Sequence, residues 1–416
     1  MPNNQLYPVT ASVPLRTPRG LVGVFACASG LSVANVYYAQ PLLDQVAEDF
    51  AISPGAVGGV ITATQVGSVL ALLLIVPLGD QVNRRTLMLA QIGALIAGLF
   101  CVAMTHSPLI MLLAMLGIGL LGTAMTQGLI AFAATASLPQ ERGRVVGTVQ
   151  GGVVIGLLLS RLAAGLIADL AGWRWVYLGS ALVMMALGLI LYKVLPSQRP
   201  SATPTGYARL VLSMFTLLRE DPVLQIRGML ALFIFAVLGI FWSALVFLLT
   251  HAPYGFSHTT IGTFGLVGVV GALAATRAGV WADKGLGQWT TGISLGLLIL
   301  AWGALWLTTY SMVWLVVGVV ILDLGAQAIH VTNQSMIFNT RPDAHSRVVG
   351  CYMLFYAIGS GFGALASTAL YAAWGWTGVC LLGAGVSLTA LVFWAVTLNQ
   401  MPGTVQHTRT VTRHTG

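Results

Sequence analysis

Charged residues are scarce in this chain of 416 residues. Asp, Glu, Lys and Arg make up 7% of it, whereas a soluble domain carries about 25%. A soluble chain of this length would need far more polar surface to coat its domains. The only two lysines, Lys193 and Lys284, lie outside any G-x-x-x-x-G-K-[ST] pattern, so no ATP-hydrolysing site is predicted. The composition excludes an ordinary soluble protein.

Cysteine is also scarce, and no cluster of metal ligands is visible. The four cysteines lie in apolar runs without paired spacing, so no disulfide framework is predicted. Apparent hydrolase and dinucleotide motifs fall inside apolar segments rather than at strand-to-helix turns. The formal net charge of +8 is explained by membrane topology better than by nucleic acid. We therefore expect no enzyme activity, cofactor, metal or nucleic-acid partner.

Long apolar runs dominate the chain instead. Hydrophobic residues make up 57% of it, and the mean hydropathy is +0.88. A helix needs about 20 apolar residues to cross a bilayer, so cutting the runs at Pro, charged and polar clusters gives twelve segments. Segments 1 to 12 are residues 21–43, 57–78, 86–105, 108–134, 145–169, 174–195, 227–250, 260–281, 289–308, 312–337, 348–372 and 376–398. The runs lack the alternation of a β-barrel, which predicts an all-α membrane protein.

The two halves of the chain repeat each other at an offset of 203 residues. The matching positions are Asp80 and Asp283, Gln127 and His330, Arg144-Val-Val-Gly147 and Arg347-Val-Val-Gly350, Gly156 and Gly359, and Gly172-Trp173 and Gly375-Trp376. Parallel repeats of six helices are typical of transporters whose halves rock about a central site.

The repeat and the polar breaks define the predicted domains. These are an N-terminal tail (1–20), an N-terminal six-helix bundle (21–195), a Pro-rich polar linker (196–226), a C-terminal six-helix bundle (227–398) and a C-terminal tail (399–416). Basic residues precede segment 1 and lie in the linker, in the turns 2–3, 4–5, 8–9 and 10–11 and in the C-terminal tail. By the positive-inside rule, both termini and the linker face the cytoplasm.

Two loops carry a family resemblance. Residues 76–85 read Val76-Pro-Leu-Gly79-Asp80-Gln-Val-Asn-Arg84-Arg85, and the second half has Gly279-Val-Trp-Ala-Asp283-Lys-Gly. They resemble the G-x-L-A-D-R-x-G-R-R/K loop of the major facilitator superfamily, and the resemblance covers the chain apart from its tails.

A finer likeness comes from segment 1 and two turns. Asn35-Val-Tyr-Tyr38-Ala-Gln40-Pro, Glu141-Arg-Gly-Arg144 and Gly-Trp-Arg174 are similar to the bacterial twelve-helix branch that contains proton-driven drug and metabolite exporters. Antiporters of that branch often have a proline after the segment-5 glycines, where this chain has Gly156 followed by Leu157.

The resemblance implies a monomeric transporter of the bacterial inner membrane. It would move a small molecule by alternating access, as a proton-coupled antiporter in efflux. It also implies a conformational-switch loop formed by Gly79, Asp80, Arg84, Arg85, Gly279 and Asp283. For the arginine pair, a purely topogenic role is the alternative.

Two charged residues lie deep inside the predicted segments. Arg161 of segment 5 and Asp323 of segment 10 sit at similar depths at about 1.5 Å per residue. An unpaired charge near mid-bilayer costs at least about 2.5–3.5 kcal/mol. The resemblance brings helix 5 close to helix 10, so we expect Asp323 to bind the proton. Arg161 would be its partner in one conformation or an anchor for an anionic substrate group. A permanent structural ion pair is the alternative.

The resemblance also implies that segments 1, 4, 7 and 10 line a substrate cavity. The polar candidates there are Asn35, Tyr38, Gln40, Thr123, Gln127, Trp242, Gln327 and His330. Each could instead bond to a neighbouring helix. Substrate identity, substrate charge and transport direction stay open. The other hypotheses are a proton symporter that imports a small organic anion and a membrane sensor that does not transport.

Overall fold

The chain folds into two sets of six long helices. The computed structural model describes residues 19–79, 81–138, 141–195, 206–338 and 345–401, and no strand occurs in these ranges. The first set is α1 (Arg19–Tyr37), α2 (Gly59–Leu78), α3 (Arg84–Met104), α4 (Pro108–Ala136), α5 (Arg142–Ala171) and α6 (Trp173–Val194). The second is α7 (Pro222–Thr250), α8 (His258–Trp281), α9 (Gly287–Trp306), α10 (Met312–Phe338), α11 (345–374) and α12 (376–397).

Length and composition make these helices membrane-spanning. Within the described residues, ten helical stretches are long and apolar enough to cross a bilayer. One of them, Arg347–Gln400, has 54 residues and so provides two crossings, since about 20 residues suffice for one. It contains α11 and α12, and α8 completes the twelve. The predicted all-α fold of two six-helix bundles is confirmed.

Glycine begins the last helix of each half. Gly172 has φ 94° and Gly375 has φ 62°, a region that glycine adopts without steric cost. Each is followed by a buried tryptophan, Trp173 or Trp376, whose indole N–H donates a hydrogen bond of 2.8 Å. The repeated Gly-Trp pair therefore builds the same helix start twice.

The helix pairs within the two halves also correspond. The contacts α1–α5, α2–α4 and α3–α6 recur as α7–α11, α8–α10 and α9–α12. Gly152 and Gly156 allow α5 to approach α1, and Gly359 and Gly363 allow α11 to approach α7. A Cβ atom built on any of the four would overlap backbone of the partner helix. Small residues therefore set these two close crossings.

The halves meet each other along α5–α8 and α2–α11. A Cβ at Gly262 of α8 would lie 2.5 Å from the carbonyl oxygen of Arg161 in α5. A Cβ at Gly58, before α2, would lie 2.6 Å from the carbonyl oxygen of Ala364 in α11. Both contacts belong to the end of the molecule that carries the α1–α2, α5–α6 and α7–α8 turns. The halves are tightly packed at that end.

The first segment is shorter as a helix than its apolar run predicts. α1 ends at Tyr37, and a 3₁₀ turn (Gln40–Leu42) and a short helix (Leu43–Asp49) follow. Pro41 lies inside the turn and has no N–H to continue an α-helical ladder. The backbone leaves the helical region at Leu42, which has φ −117° and ψ 5°, so the predicted single helix is divided before residue 43.

The linker contains a helix of its own, Tyr207–Glu220. Met214 and Leu217 are buried, whereas Leu212 and Phe215 are exposed, so both faces have apolar residues. The Tyr207 hydroxyl donates to a backbone carbonyl of α2 at 2.7 Å, and Met214 contacts α11. The linker helix therefore touches both halves. α7 begins at Pro222, within the range predicted as linker.

Candidate functional site

A cavity of about 560 Å³ lies between the two halves. Residues from α1, α2, α4, α5, α7, α8, α10 and α11 line it. Among the residues predicted for the site, Gln40, Thr123, Gln127, Arg161, Trp242, Asp323, Gln327 and His330 all border this one space. The structure thus brings both deep charges and six of the eight cavity candidates together.

Arg161 is held by neutral groups from both halves. Its Nε and Nη2 atoms donate to the amide oxygen of Gln40 at 3.1 and 2.9 Å. Its guanidinium carbon lies 4.0 Å from the ring centroid of Trp242 in α7 and 5.7 Å from that of Tyr37 in α1. A desolvated cation over an aromatic face gains about 2 kcal/mol. These contacts fix the guanidinium without a direct ion pair to a carboxylate among the described residues.

Asp323 faces the same cavity from α10. Its side chain is 6% exposed, and within the described residues it has neither a hydrogen bond nor an ion pair closer than 4.0 Å. Arg161 is near enough to act on it electrostatically. In this conformation the acid and the base share a cavity without the direct ion pair that was one of the predicted arrangements.

Asn35 and Tyr38 lie away from the cavity. Asn35 is fully buried; its amide donates to the Leu31 carbonyl at 2.8 Å and its oxygen accepts from the Ser180 hydroxyl at 2.7 Å. Tyr38, the residue after α1, is also buried, and its side chain bonds to the same Ser180 of α6. Both point into the N-terminal half toward α6, so the structure does not support their predicted place in the cavity.

The tyrosine that does reach the cavity is Tyr37. Its hydroxyl contacts the hydroxyl of Tyr356 in α11, so α1 of one half meets α11 of the other. Both residues line the cavity. Tyr37 is one of the polar residues that segment 1 offers to the predicted cavity, whereas nothing in the sequence singled out Tyr356.

His330 borders the cavity on the side where a second buried cation, Arg227, lies. Its Nδ1 lies 2.9 Å from the hydroxyl of Tyr352 in α11. Beyond it, Arg227 of α7 is fully buried, and its Nη1 donates to Thr291 and Asn333 at 2.9 and 3.2 Å. The Nε and Nη2 atoms of Arg227 have no hydrogen-bond partner in the described part of the chain. Its position at the predicted edge of the linker had suggested only a topogenic charge.

A hydrogen-bonded cluster joins the halves at their tightly packed end. His258, the first residue of α8, has Nε2 3.0 Å from Asp44 and Nδ1 3.2 Å from Asp169. Asp169 lies in the last turn of α5 and also accepts from the backbone N–H of His258 at 3.1 Å. We call Asp44, Asp169, His258 and Thr259 the end cluster. It links the N-terminal half to the start of α8.

The two arginines of the predicted switch loop are anchored within the N-terminal half. Arg84 donates to the carbonyl oxygen of Gly79 at 3.0 Å and to the hydroxyl of Thr135 in α4 at 2.9 Å. Arg85 donates to the carbonyl oxygen of Tyr192 in α6 at 2.7 Å and stacks on its ring. The pair therefore fastens the 2–3 turn to α4 and α6.

The remaining residues of the predicted conformational switch are described only in part. Asp80 lies outside the described residues. The backbone of Asp283 lies in a π-helical turn, Ala282–Leu286, but its side chain is also outside the described set. A Cβ on Gly279 would approach Val331 of α10 at 3.2 Å, so this glycine allows α8 and α10 to pack closely.

Two repeated six-helix halves around a shared cavity define a membrane transporter. The family profile of the Major Facilitator Superfamily matches residues 25–342 and 292–413. The chain belongs to this family, whose members are transporters and not enzymes.

Related proteins agree with this assignment. The uncharacterized transporter YgaY of Escherichia coli O157:H7 is 39% identical over 393 residues, which cover 94% of this chain and 96% of that protein. Transporter SCO4007 of Streptomyces coelicolor is 29% identical over 358 residues, covering 86% and 83%. A bacterial homolog of the human lysosomal transporter Spinster, in an inward-facing and occupied conformation, has the same fold. Its TM-score is 0.73 at 14% identity, covering 91% of this chain and 96% of that one.

Proposed function

We propose that the protein is a proton-coupled secondary transporter that exports a small organic molecule by alternating access. The observation that supports this proposal most strongly is Asp323. It is a buried carboxylate without a hydrogen bond or ion pair among the described residues, in a cavity shared by both halves. An ionised carboxylate at that depth is costly unless it is compensated. A proton or a substrate group can each compensate it.

Competition between the proton and the substrate for Asp323 would couple proton entry to substrate export. If the carboxylate binds either a proton or a positively charged part of the substrate, proton entry displaces the substrate on one side of the membrane. For a substrate without net charge, each entering proton moves one net charge, and 100 mV then supplies about 2.3 kcal/mol. For a monocation the exchange is electroneutral, and the pH difference drives it at about 1.4 kcal/mol per tenfold proton gradient. The position of the Arg161 side chain would depend on the charge of Asp323. Because Arg161 belongs to α5, a change in that charge would also affect the N-terminal half.

The basic residues support an orientation in the bacterial inner membrane with both termini cytoplasmic. In that orientation the end cluster and the α5–α8 and α2–α11 contacts close the periplasmic side. The cavity extends along the cytoplasmic parts of α5 and α10 to Gln150 and Gln334, as in an inward-facing state. The proposed domains remain bundles 21–195 and 227–398 joined by linker 196–226, in a monomer.

The 2–3 and 8–9 turns are proposed as the conformational switch. Arg84 and Arg85 bond to α4 and α6, so the 2–3 turn would move with the N-terminal half as a rigid unit. Gly79, Asp80, Gly279 and Asp283 would complete the switch where the halves approach each other.

Reconstitution in liposomes tests proton coupling. The purified protein is given an imposed pH gradient, and fluxes of a panel of small organic ions are compared for wild type, Asp323→Asn and Glu48→Gln. Glu48 is exposed and lies outside the cavity, so its variant controls for loss of one carboxylate. We expect gradient-driven accumulation in wild type and in the control, and flux without gradient dependence in Asp323→Asn. Intact gradient-driven transport by Asp323→Asn contradicts the proposal.

Import of a small organic anion with a proton is the second candidate. Arg161 favours it, because its guanidinium is fixed by neutral groups and keeps its charge available to an anion. The sign of flux in the same liposomes separates the two, since a symporter accumulates substrate on the side to which protons run. A sensor without transport would bind ligand yet give no counterflow for any ligand.

A further inference from the structure

The two charges of the cavity have a fixed spatial relationship. A Cβ at Gly265 of α8 would lie 3.4 Å from Cβ and Cδ of Arg161, and one at Gly268 would lie 3.3 Å from Oδ2 of Asp323. These glycines are three residues apart, which is roughly 4.5 Å along a helix. Arg161 and Asp323 therefore approach neighbouring turns of α8, close together but not joined as an ion pair.

Each charge is the other's nearby opposite charge, but neither is in a direct ion pair in this conformation. The partners of Arg161 are an amide oxygen and aromatic rings. Asp323 has no hydrogen bond within the described ranges. The bidentate bond to Gln40 uses Nε and Nη2, so Nη1 has no protein partner among the described residues and is free to donate. One donor group and one acceptor group thus stand side by side at the cavity wall.

This pattern discriminates among ligands by charge. A cation placed at Asp323 would also lie near Arg161, and an anion placed at Arg161 would lie near Asp323. Like charges repel strongly where the effective dielectric constant is low. A molecule that carries both charges a few ångströms apart meets an opposite charge at each end and leaves neither protein group uncompensated.

The rest of the cavity suits an apolar body. Leu72, Val153, Leu157 and Phe235 are among the apolar residues that line it. The volume of about 560 Å³ exceeds what a bare carboxylate–ammonium pair would fill, and apolar walls with a few polar groups are typical of small-molecule sites.

We propose that the cavity binds small zwitterions with an apolar side group, with the carboxylate at Arg161 and the ammonium at Asp323. This inference rests on the proposed transport site, but it concerns binding and not proton coupling. Gln327, four residues after Asp323 on the same face of α10, would supply a neutral hydrogen-bonding group beside the charged pair.

Matched triplets of ligands test the inference. Each triplet has one scaffold in three charge forms: the free amino acid, its N-acetyl derivative, which is an anion, and its amide, which is a cation. Phenylalanine, leucine and methionine provide aromatic, branched and linear scaffolds. Binding is measured by thermal stabilisation of the purified protein in detergent, for wild type, Arg161→Gln, Asp323→Asn and Glu48→Gln.

We expect the free amino acid of at least one scaffold to bind about tenfold or more tightly than both singly charged forms, because each of these loses a charged hydrogen bond. Arg161→Gln should shift the preference to the amide and Asp323→Asn to the N-acetyl form, while Glu48→Gln binds like wild type. Arg161→Lys keeps the cation and should keep the preference for the zwitterion, which guards against misfolding of Arg161→Gln.

Two outcomes overturn the inference. One is a wild-type protein that binds an anionic or cationic form as tightly as the zwitterion. The other is no binding of any free amino acid in the panel up to about 10 mM, well above ordinary substrate affinities. Zwitterion binding without proton-driven flux supports this inference and contradicts the proposed proton coupling, so the two failures are distinguishable.

Discussion

Asp169 at the end of α5 caps the start of α8 through Thr259. One carboxylate oxygen accepts from the backbone N–H of Thr259 at 2.7 Å and from its hydroxyl at 2.6 Å. A carboxylate is favoured at a helix N-terminus, where N–H groups lack partners and the helix dipole is positive. Because the two residues belong to different halves, this cap holds one end of the transporter shut.

Removing the cap should open that end. Asp169→Ala loses hydrogen bonds to a charged group, each worth about 1.5–3 kcal/mol, so the closed population should fall about tenfold or more. Pulsed electron resonance between spin labels in the α5–α6 and α7–α8 turns measures the distance distribution. Asp49→Ala is the control, because Asp49 bonds Trp173 and Arg174 within the N-terminal half. An unchanged distribution in Asp169→Ala would refute the role of the cap.

The stability of the end cluster should depend on pH through His258. His258 is the first residue of α8 and lies outside residues 260–281, the apolar stretch of this helix that is predicted to cross the bilayer. Burial opposes its charged form, but the hydrogen bond and charge of Asp44, followed by those of Asp169, outweigh burial and raise the pKa of His258 above its usual 6.5. The protonated ring therefore stabilises the folded, closed form. This contribution is complete below the unfolded pKa and is lost as the pH rises through the higher folded value.

His258→Gln tests this dependence. Thermal unfolding midpoints of wild type and variant are compared from about pH 5 to pH 9, the range in which histidine titrates. The wild-type advantage should be largest at acidic pH and disappear at alkaline pH. His106→Gln is the control, because His106 is exposed and lies outside the end cluster. A difference that grows toward alkaline pH would contradict the assigned sign.

Two glycines five residues apart in α5 should respond differently to the same substitution. A Cβ on Gly156 would overlap the backbone of Gly30 in α1, whereas a Cβ on Gly151 meets nothing within 4 Å. Gly156→Ala should therefore lower the free energy of unfolding by about 1–3 kcal/mol through overpacking. Gly151→Ala should leave it unchanged or raise it slightly, since alanine favours a helix. Thermal unfolding in detergent distinguishes them, and equal effects would exclude the close α1–α5 approach.

The buried charge of Arg227 should lower the free energy of unfolding rather than raise it. Its Nε and Nη2 atoms have no partner among the described residues, and a buried ion carries a desolvation cost of several kcal/mol, which an unbranched apolar side chain would remove. Arg227→Met should therefore unfold at the same or a higher temperature. Arg227→Ala, which leaves a cavity, should unfold at a lower one. Destabilisation by Arg227→Met equal to that by Arg227→Ala would show that the charge itself is stabilising.

The helices were largely predictable, because bilayer thickness and hydropathy fix their length and number. Segments 2 to 12 lie within a few residues of α2 to α12, and the repeated Gly-Trp pair stands at the start of two of these helices. Helix ends were predicted less well where a proline lies inside an apolar run. Segment 1 was predicted through residue 43, but the helix ends at Tyr37.

The site was predictable where a charge or a long polar side chain lies mid-helix. Arg161 and Asp323 are visible in sequence because charges are so rare in the segments. The hydrogen bond from Arg161 to Gln40 joins residues 121 positions apart and depends on how α1 ends. The burial of Arg227 depends on the packing of several helices, which no local pattern encodes.

The fold is repeated in the two halves, but the charged residues Arg161 and Asp323 are not. At the offset of 203, Arg161 corresponds to Ala364 and Asp323 to Leu120, so the cation belongs to one half and the carboxylate to the other. When the two halves move relative to each other, a transporter without substrate must separate the positive Arg161 from the negative Asp323. This separation requires work, because the dielectric constant around them is low. A transporter whose two charges are compensated by a bound substrate avoids that work. The empty form is therefore expected to reorient slowly, so that exchange of substrate for substrate outpaces net flux.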